Sequence, residues 1–223
     1  MLNWFPENVS SFGGDIDSLF YLILYITGAW FLLTEGLILF FLVRYRRREG
    51  RRAAYYHGNN LKQAAWILIP GLIVLLLDLW VDFRGAEVWA KIKGHVPPSD
   101  LRIQVTGKQF NWEIVYPGPD GKLGTADDLQ MDNELHVPVG KVVRVVLKSK
   151  DVIHSFFLPN LRFKQDAVPG REIEAWFQAT KPGRFEMPCS ELCGFGHSGM
   201  GGQLFVHTPE EYKKWVKEHW PEK

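Results

Sequence analysis

Two long apolar runs open the chain, and a different rhythm follows them. From Leu19 to Val43 the sequence LFYLILYITGAWFLLTEGLILFFLV carries Glu35 as its one charge. As a helix this stretch reaches about 37 Å, enough to cross a bilayer with some tilt. The second run, AAWILIPGLIVLLLDLWV from about Ala64 to Val81, is shorter, contains Pro70 and carries Asp78 near its far end. The pattern predicts a transmembrane hairpin with spans at about 19–43 and 64–81. After about residue 95, apolar and polar residues alternate with period two. Leu101, Ile103 and Val105 in LRIQV begin the pattern, followed by Phe110, Trp112 and Ile114 and by KVVRVVL from Lys141 to Leu147. The runs EIEAWFQ, GRFEM and GGQLFVH continue it. Short strands separated by Gly and Pro predict a sandwich or barrel. A C-terminal helix closes the chain, with Thr208 as N-cap, Pro209 in the first turn and Glu211 completing a capping box. The fold class is thus membrane α+β. Residues 1–94 form an N-terminal segment and hairpin, and residues 95–223 form a β-domain.

Charge sets the orientation. Arg44, Arg46, Arg47, Arg48, Arg51 and Arg52 lie between the two runs, and arginine-rich loops stay in the cytoplasm. Both termini and the β-domain are then expected on the outer, periplasmic or equivalent, face. The segment before the first run is acidic (Glu7, Asp15, Asp17), unlike the basic flank of a cleavable signal. Carboxylates in hydrocarbon are costly and usually face protein or water. Glu35 and Asp78 are therefore expected at a helix–helix contact, with a proton path as the alternative. Over the whole chain, 26 basic residues nearly balance 25 acidic ones, so nucleic acid is not an expected partner, whereas membrane lipid is. The loop from Pro117 to Leu129 holds Asp120, Asp127 and Asp128 among glycines. Its spacing fits no EF-hand, so a hairpin insertion is expected there rather than a calcium loop.

The chemistry concentrates in CSELCGFGHSGM, which contains Cys189, Glu191, Cys193, His197 and Met200, with His154 upstream in DVIHSF. Two thiolates, two imidazoles and a thioether make a soft ligand set that favours copper. Zinc would accept two Cys and two His but leaves Met200 unexplained. A single blue-copper ion needs one Cys fewer. Two thiolates that each bridge two copper ions would resolve the count. Sharing one unpaired electron between two metals reduces the geometry change on reduction, which suits fast electron transfer. The other histidines, His57, His95, His136, His207 and His219, form no second cluster by spacing.

On these residues, the two spans, DVIHSF, the DAVPGR motif from Asp166 to Arg171 and the C-x-E-x-C-x₃-H-x₂-M loop, the chain resembles subunit II of cytochrome c oxidases. The resemblance implies a helical hairpin followed by a cupredoxin-like β-barrel bearing a binuclear copper (CuA) centre. Within it, Cys189 and Cys193 would be the bridging thiolates, and His154 and His197 the terminal imidazoles. Met200 and the Glu191 backbone carbonyl would be the weak ligands. The Glu191 carboxylate would reach a magnesium ion at the boundary with subunit I, with Asp166 supporting that region. The implied partners are subunit I with its haems and second copper site, subunit III, and a separate cytochrome c-type electron donor. The implied activity is proton-pumping reduction of oxygen to water, performed in subunit I. No C-x-x-C-H occurs, so no covalent haem is expected.

Two positions depart from the family pattern. The aromatic run before the barrel reads GKQFNWEIVY, so Phe110 replaces the tryptophan at which electrons are expected to arrive, while Trp112 keeps the second aromatic. Before the second span, Gln63 replaces a glutamate at the mouth of a proton channel, so either the channel opens elsewhere or a neighbour such as His57 takes part. Quinol-oxidase subunits share the architecture without the copper ligands. A nitric oxide reductase would differ in its catalytic subunit. A copper carrier would need fewer ligands and an exposed site.

Overall fold

The computed structural model describes residues 5–94 and 96–220. They form two compact units. One holds Asp15–Lys91, and the other joins residues up to Gly14 with the chain from Ile92 onward.

In the first unit, helices α1 (Gly13–Arg44) and α2 (Leu61–Trp89) are each long and apolar enough to cross a membrane. Both extend beyond the apolar runs, α1 starting at Gly13 and α2 running from Leu61 to Trp89. The Asn60 side chain caps α2 by accepting the Gln63 amide at 2.9 Å, and the Gln63 side-chain oxygen accepts the Gly58 amide at 2.7 Å. Pro70 is held inside α2 without ending it.

The second unit is a β-sandwich, as the alternating pattern requires. Strands β1 (Leu101–Lys108), β2 (Asn111–Tyr116), β3 (Leu129–Asp132), β5 (Val142–Ser149) and β8 (Ile173–Gln178) form a sheet in the order β3-β2-β1-β5-β8. Strands β4 (Glu134–Pro138), β9 (Gly183–Glu186) and β10 (Gln203–His207) form a second sheet, β4-β10-β9. Strands β6 (His154–Leu158) and β7 (Phe163–Ala167) pair with each other. Alternate residues Ile103 and Val105, Trp112 and Ile114, and Leu204 and Val206 are buried. Edge-to-face rings run through the core, from Trp112 to Phe156 (5.2 Å), Phe156 to Phe163 (6.0 Å) and Phe163 to Phe177 (5.6 Å). Phe110 departs from the expected alternation. It lies in the β1–β2 turn and is partly exposed, because a tight hairpin turn takes residues 109 and 110 out of the ladder.

Helix α3 (Pro209–His219) carries the expected capping box between Thr208 and Glu211 and buries Trp215 against Tyr116 at 5.1 Å. The loop before β3 is a hairpin insertion. Asp120, Asp127 and Asp128 accept hydrogen bonds from Lys122, Thr125 and Gly124 within the loop, and the Trp220 indole ties it to the end of α3. Spacing concealed a histidine cluster that strand pairing creates. Parallel β4 and β10 bring His136 Nδ1 within 2.8 Å of His207 Nε2, and the His136 ring stacks on Phe205 at 4.6 Å and on Trp215 at 5.0 Å.

The N-terminal segment belongs to this unit. Val9 and Phe12 are almost fully buried, the Val9 amide donates to the Asn160 carbonyl, and the Thr180 amide donates back to the Val9 carbonyl. Phe12 meets Trp176 edge-on at 5.3 Å. The sequence division at residue 94 had grouped this segment with the helices.

Phe12→Ala is expected to lower the unfolding free energy of the β-domain by about 3 kcal/mol, the usual loss for a buried phenylalanine, read by denaturant titration of the purified chain. A change below about 1 kcal/mol would mean that the segment is not part of the domain's core. Burial, and then His207, hold the His136 imidazole at about 4, below its ordinary 6.5. Between those values the unfolded chain binds the extra proton, so stability is full above about pH 6.5 and falls as pH drops, by at most about 1.4 kcal/mol per unit. The melting temperature should be level above pH 7 and decline toward pH 4.5, and His136→Phe should flatten the decline. An undiminished decline in the variant would assign it to other groups.

Candidate metal centre

The loop from Met187 to Gly202 is closed at its base by two hydrogen bonds of 3.0 Å that these residues exchange. Inside it, the Cys189 amide donates to the Met200 carbonyl at 3.0 Å, and Ser190 donates to Ser155 of β6 at 2.9 Å. An isolated bridge pairs Cys189 with Phe156. The loop is thereby held against β6, the strand that begins with His154.

This clamping brings the six sequence-predicted donors together. The two sulfurs stand 4.0 Å apart. Cys189 Sγ lies 3.9 Å from His154 Nδ1 and 3.3 Å from the Glu191 carbonyl oxygen. Cys193 Sγ lies 3.6 Å from His197 Nδ1 and 3.7 Å from Met200 Sδ. Each sulfur therefore faces one imidazole and one weaker donor. Atoms sharing a metal at about 2.0–2.3 Å stand this far apart, so the donor set fits metal coordination. His154 is fully buried, Cys189, Cys193 and Met200 nearly so, and His197 is partly exposed. Burial, and then the Cys189 sulfur, push the Cys193 thiol up to about 11. A bound cation reverses that preference, because coordination deprotonates a thiol outright.

Three further residues position this set. The Asp151 carboxylate accepts from His154 Nε2 at 2.8 Å, which leaves Nδ1 as the free lone pair beside Cys189. Burial raises the Asp151 carboxyl, but hydrogen bonds from His154 and from the Gln109 and Val152 amides outweigh it and leave the group below its usual range. Gln109 also donates its side-chain amide to the Cys193 carbonyl at 2.6 Å. At Gly107 a Cβ would stand 2.8 Å from the His154 ring, so only glycine admits the imidazole there. None of the three was visible from spacing, although Asp151 begins the DVIHSF motif.

Trp112 lies edge-on to His154, with ring centroids 5.9 Å apart. Phe110 covers the loop so closely that a Cβ on Gly196 would come within 2.5 Å of its ring. Asp166 accepts the Ser155 hydroxyl at 2.6 Å, one residue along from His154, while Glu191 itself is exposed.

Comparison with known proteins identifies the family. Residues 104–204 match the family described as cytochrome c oxidase subunit II, periplasmic domain. Cytochrome c oxidase subunit 2 of Thermostichus vulcanus is 32% identical, over 96% of this chain and 78% of that protein. The alternative cytochrome c oxidase subunit 2 of Bradyrhizobium diazoefficiens is 30% identical, over 96% of this chain and 84% of that one. The crystal structure of the periplasmic domain of cytochrome oxidase subunit II from Bradyrhizobium japonicum shares 40% identity at a TM-score of 0.50. It covers 56% of this chain and 96% of that domain. With two candidate membrane helices, an outer-face β-domain and clustered cysteines and histidine, the chain belongs to the cytochrome c oxidase subunit 2 family and is a subunit of a haem–copper oxidase.

Proposed function

We propose that this chain is the electron-accepting subunit of its oxidase, with a binuclear copper centre (CuA) as its resident cofactor. The observation that carries the reading is the sulfur pair with one imidazole and one weaker donor on each side. Cys189 and Cys193 would bridge the two coppers, with one imidazole (His154 or His197) and one weak ligand (Met200 or the Glu191 carbonyl) completing the set of each. When bound, the pair supplies reversible one-electron chemistry. The chain's own part is to keep water out, to fix the His154 tautomer through Asp151 and to hold the ligands in one geometry for both redox states. Near-complete burial of both sulfurs also supports retention of the metal over its release to a carrier's client.

On this reading, a cytochrome c-type protein docks beside the exposed edge of Phe110. Electrons reach the sulfurs through the Phe110 and Trp112 region and leave toward haem in subunit I, where oxygen is reduced to water and protons are pumped. The exposed Glu191 carboxylate would hold a magnesium ion at the subunit I boundary, with Asp166, which accepts the Ser155 hydroxyl, supporting that region. Subunit III completes the membrane assembly. Packing of residues 5–12 on the outer domain supports an outward N-terminus, and with it both termini on the outer face.

Electron paramagnetic resonance of the copper-loaded full-length chain should show two coppers per chain sharing one unpaired electron, and Cys193→Ser should abolish the sharing. One localised cupric ion in the native chain would overturn the binuclear assignment. Gln63 spends its side-chain oxygen on the Gly58 amide, so proton uptake near it is expected not to depend on this group. Gln63→Ala should keep oxidase turnover within about twofold of native. A loss of tenfold or more would return the channel mouth to this position.

A further inference from the structure

The β4-β10-β9 sheet carries a second set of metal-compatible donors, built without cysteine. Pairing places Glu134, Gln203 and Glu186 in one cross-strand row, and His136, Phe205 and Arg184 in the next row on the same face. A cavity of about 430 Å³ opens beside the first row, and Asp132, Glu134 and Glu186 all line it. Among the described residues no lysine or arginine lines this space, so three carboxylates share it without a cation. Acidic clusters are common on protein surfaces, and the imidazole behind this one sets it apart. His136 is only 8% exposed, and its Nε2 is buried with no hydrogen-bond partner. That nitrogen faces the Glu134 carboxylate, 3.6 Å from Oε2. The separation is too long for a hydrogen bond. It is the spacing of two ligands that share one ion at about 2.0–2.2 Å from each.

The other ring nitrogen is already committed, since His136 Nδ1 lies 2.8 Å from His207 Nε2. With its proton on Nδ1 and given to His207, the ring presents a free lone pair at Nε2, the arrangement of a metal-ligating histidine whose second nitrogen is held by a partner. Stacking on Phe205 and Trp215 fixes the plane of the ring. Burial, and then His207, keep the imidazole neutral near pH 7, so no proton competes for the lone pair. We propose that His136 Nε2 and the Glu134 carboxylate form a second metal site, for a divalent transition ion of the zinc class. Imidazole beside carboxylate suits such an ion, whereas calcium and magnesium take all-oxygen shells. Water completes the coordination, and Asp132 and Glu186 add the negative potential that draws the ion in. Met187 and Gly202, the pair that closes the base of the cysteine loop, line the same cavity, so an ion bound here stands beside the foot of that loop.

Zinc titration of the copper-loaded full-length chain tests the site. Calorimetry should find one zinc bound per chain, and X-ray absorption at the zinc edge should show a nitrogen and oxygen shell containing an imidazole. Glu134→Gln changes an exposed side chain and should weaken zinc binding at least about tenfold. His136→Phe, which keeps a flat ring in the stack, should weaken it by at least as much. Glu210→Gln, an exposed acid on α3, should leave the affinity within about twofold of native. Zinc should also raise the melting temperature of the native chain and not that of Glu134→Gln, because only the former binds it when folded. Cys189→Ser combined with Cys193→Ser should bind zinc as the native chain does, which separates this site from the copper reading. Undiminished binding in Glu134→Gln, a shell without imidazole, loss of the zinc in the double serine variant, or no zinc bound at all would overturn the proposal.

Discussion

Two sulfur atoms 4.0 Å apart in a pocket closed to water set the terms for the rest of the outer domain. Burial opposes ionisation of the Cys193 thiol, and the neighbouring Cys189 sulfur opposes it further. Only a cation between them makes a dithiolate stable, and only a rigid frame keeps the pair from collapsing into a disulfide or splaying apart without one. A three-residue spacer between cysteines cannot provide that frame. It comes from three directions. The Met187–Gly202 pair closes the loop, β6 accepts Ser190 and Cys189, and Gln109 in the β1–β2 turn holds the Cys193 carbonyl.

The same frame explains why one carboxylate matters beyond its own hydrogen bond. Asp151 joins the His154 imidazole to the Gln109 amide, so the turn that carries Phe110 and the strand that carries His154 share a single anchor. A histidine donating Nε2–H to a carboxylate presents Nδ1 in a fixed direction and with raised basicity. Trp112 and Gly107 complete the setting, one as a wall beside the ring and the other as the space the ring needs. Ligand geometry here is thus a property of the hairpin, the strand and the loop together.

Features set by local pattern were legible in the sequence. The two helices follow from the apolar runs, the strands from period-two alternation, and the Thr208–Glu211 cap from its own three-residue spacing. The donors of CSELCGFGHSGM were legible because they fall within one short loop. What stayed hidden depends on pairing across long separations. Gln109 meets Cys193 across 84 positions, and His136 meets His207 across 71, through a parallel β4–β10 register that no local spacing encodes. Val9 and Phe12 sit in a short polar segment with no periodicity of its own, and their burial follows from a site on the far side of the sequence, at Asn160, Trp176 and Thr180.

Phe110 shows how a substitution can keep one role and lose another. Gly194 and Gly196 leave room for a flat ring, and the phenyl group fills it in close contact with the loop. On the proposed function, that contact preserves the short path from the surface to the sulfurs, because tunnelling depends on packing and distance, and a phenyl ring meets both conditions. An indole would also offer an N–H to an arriving partner, and phenylalanine cannot. Docking must then draw on what surrounds it: Val152, Ile153, Leu192 and Phe195 are all exposed. Such a surface favours an electron donor whose contact patch is apolar, held by burial of area and less by directed hydrogen bonds. Association with such a partner would depend weakly on salt, since screening acts on charges and leaves apolar contact nearly untouched.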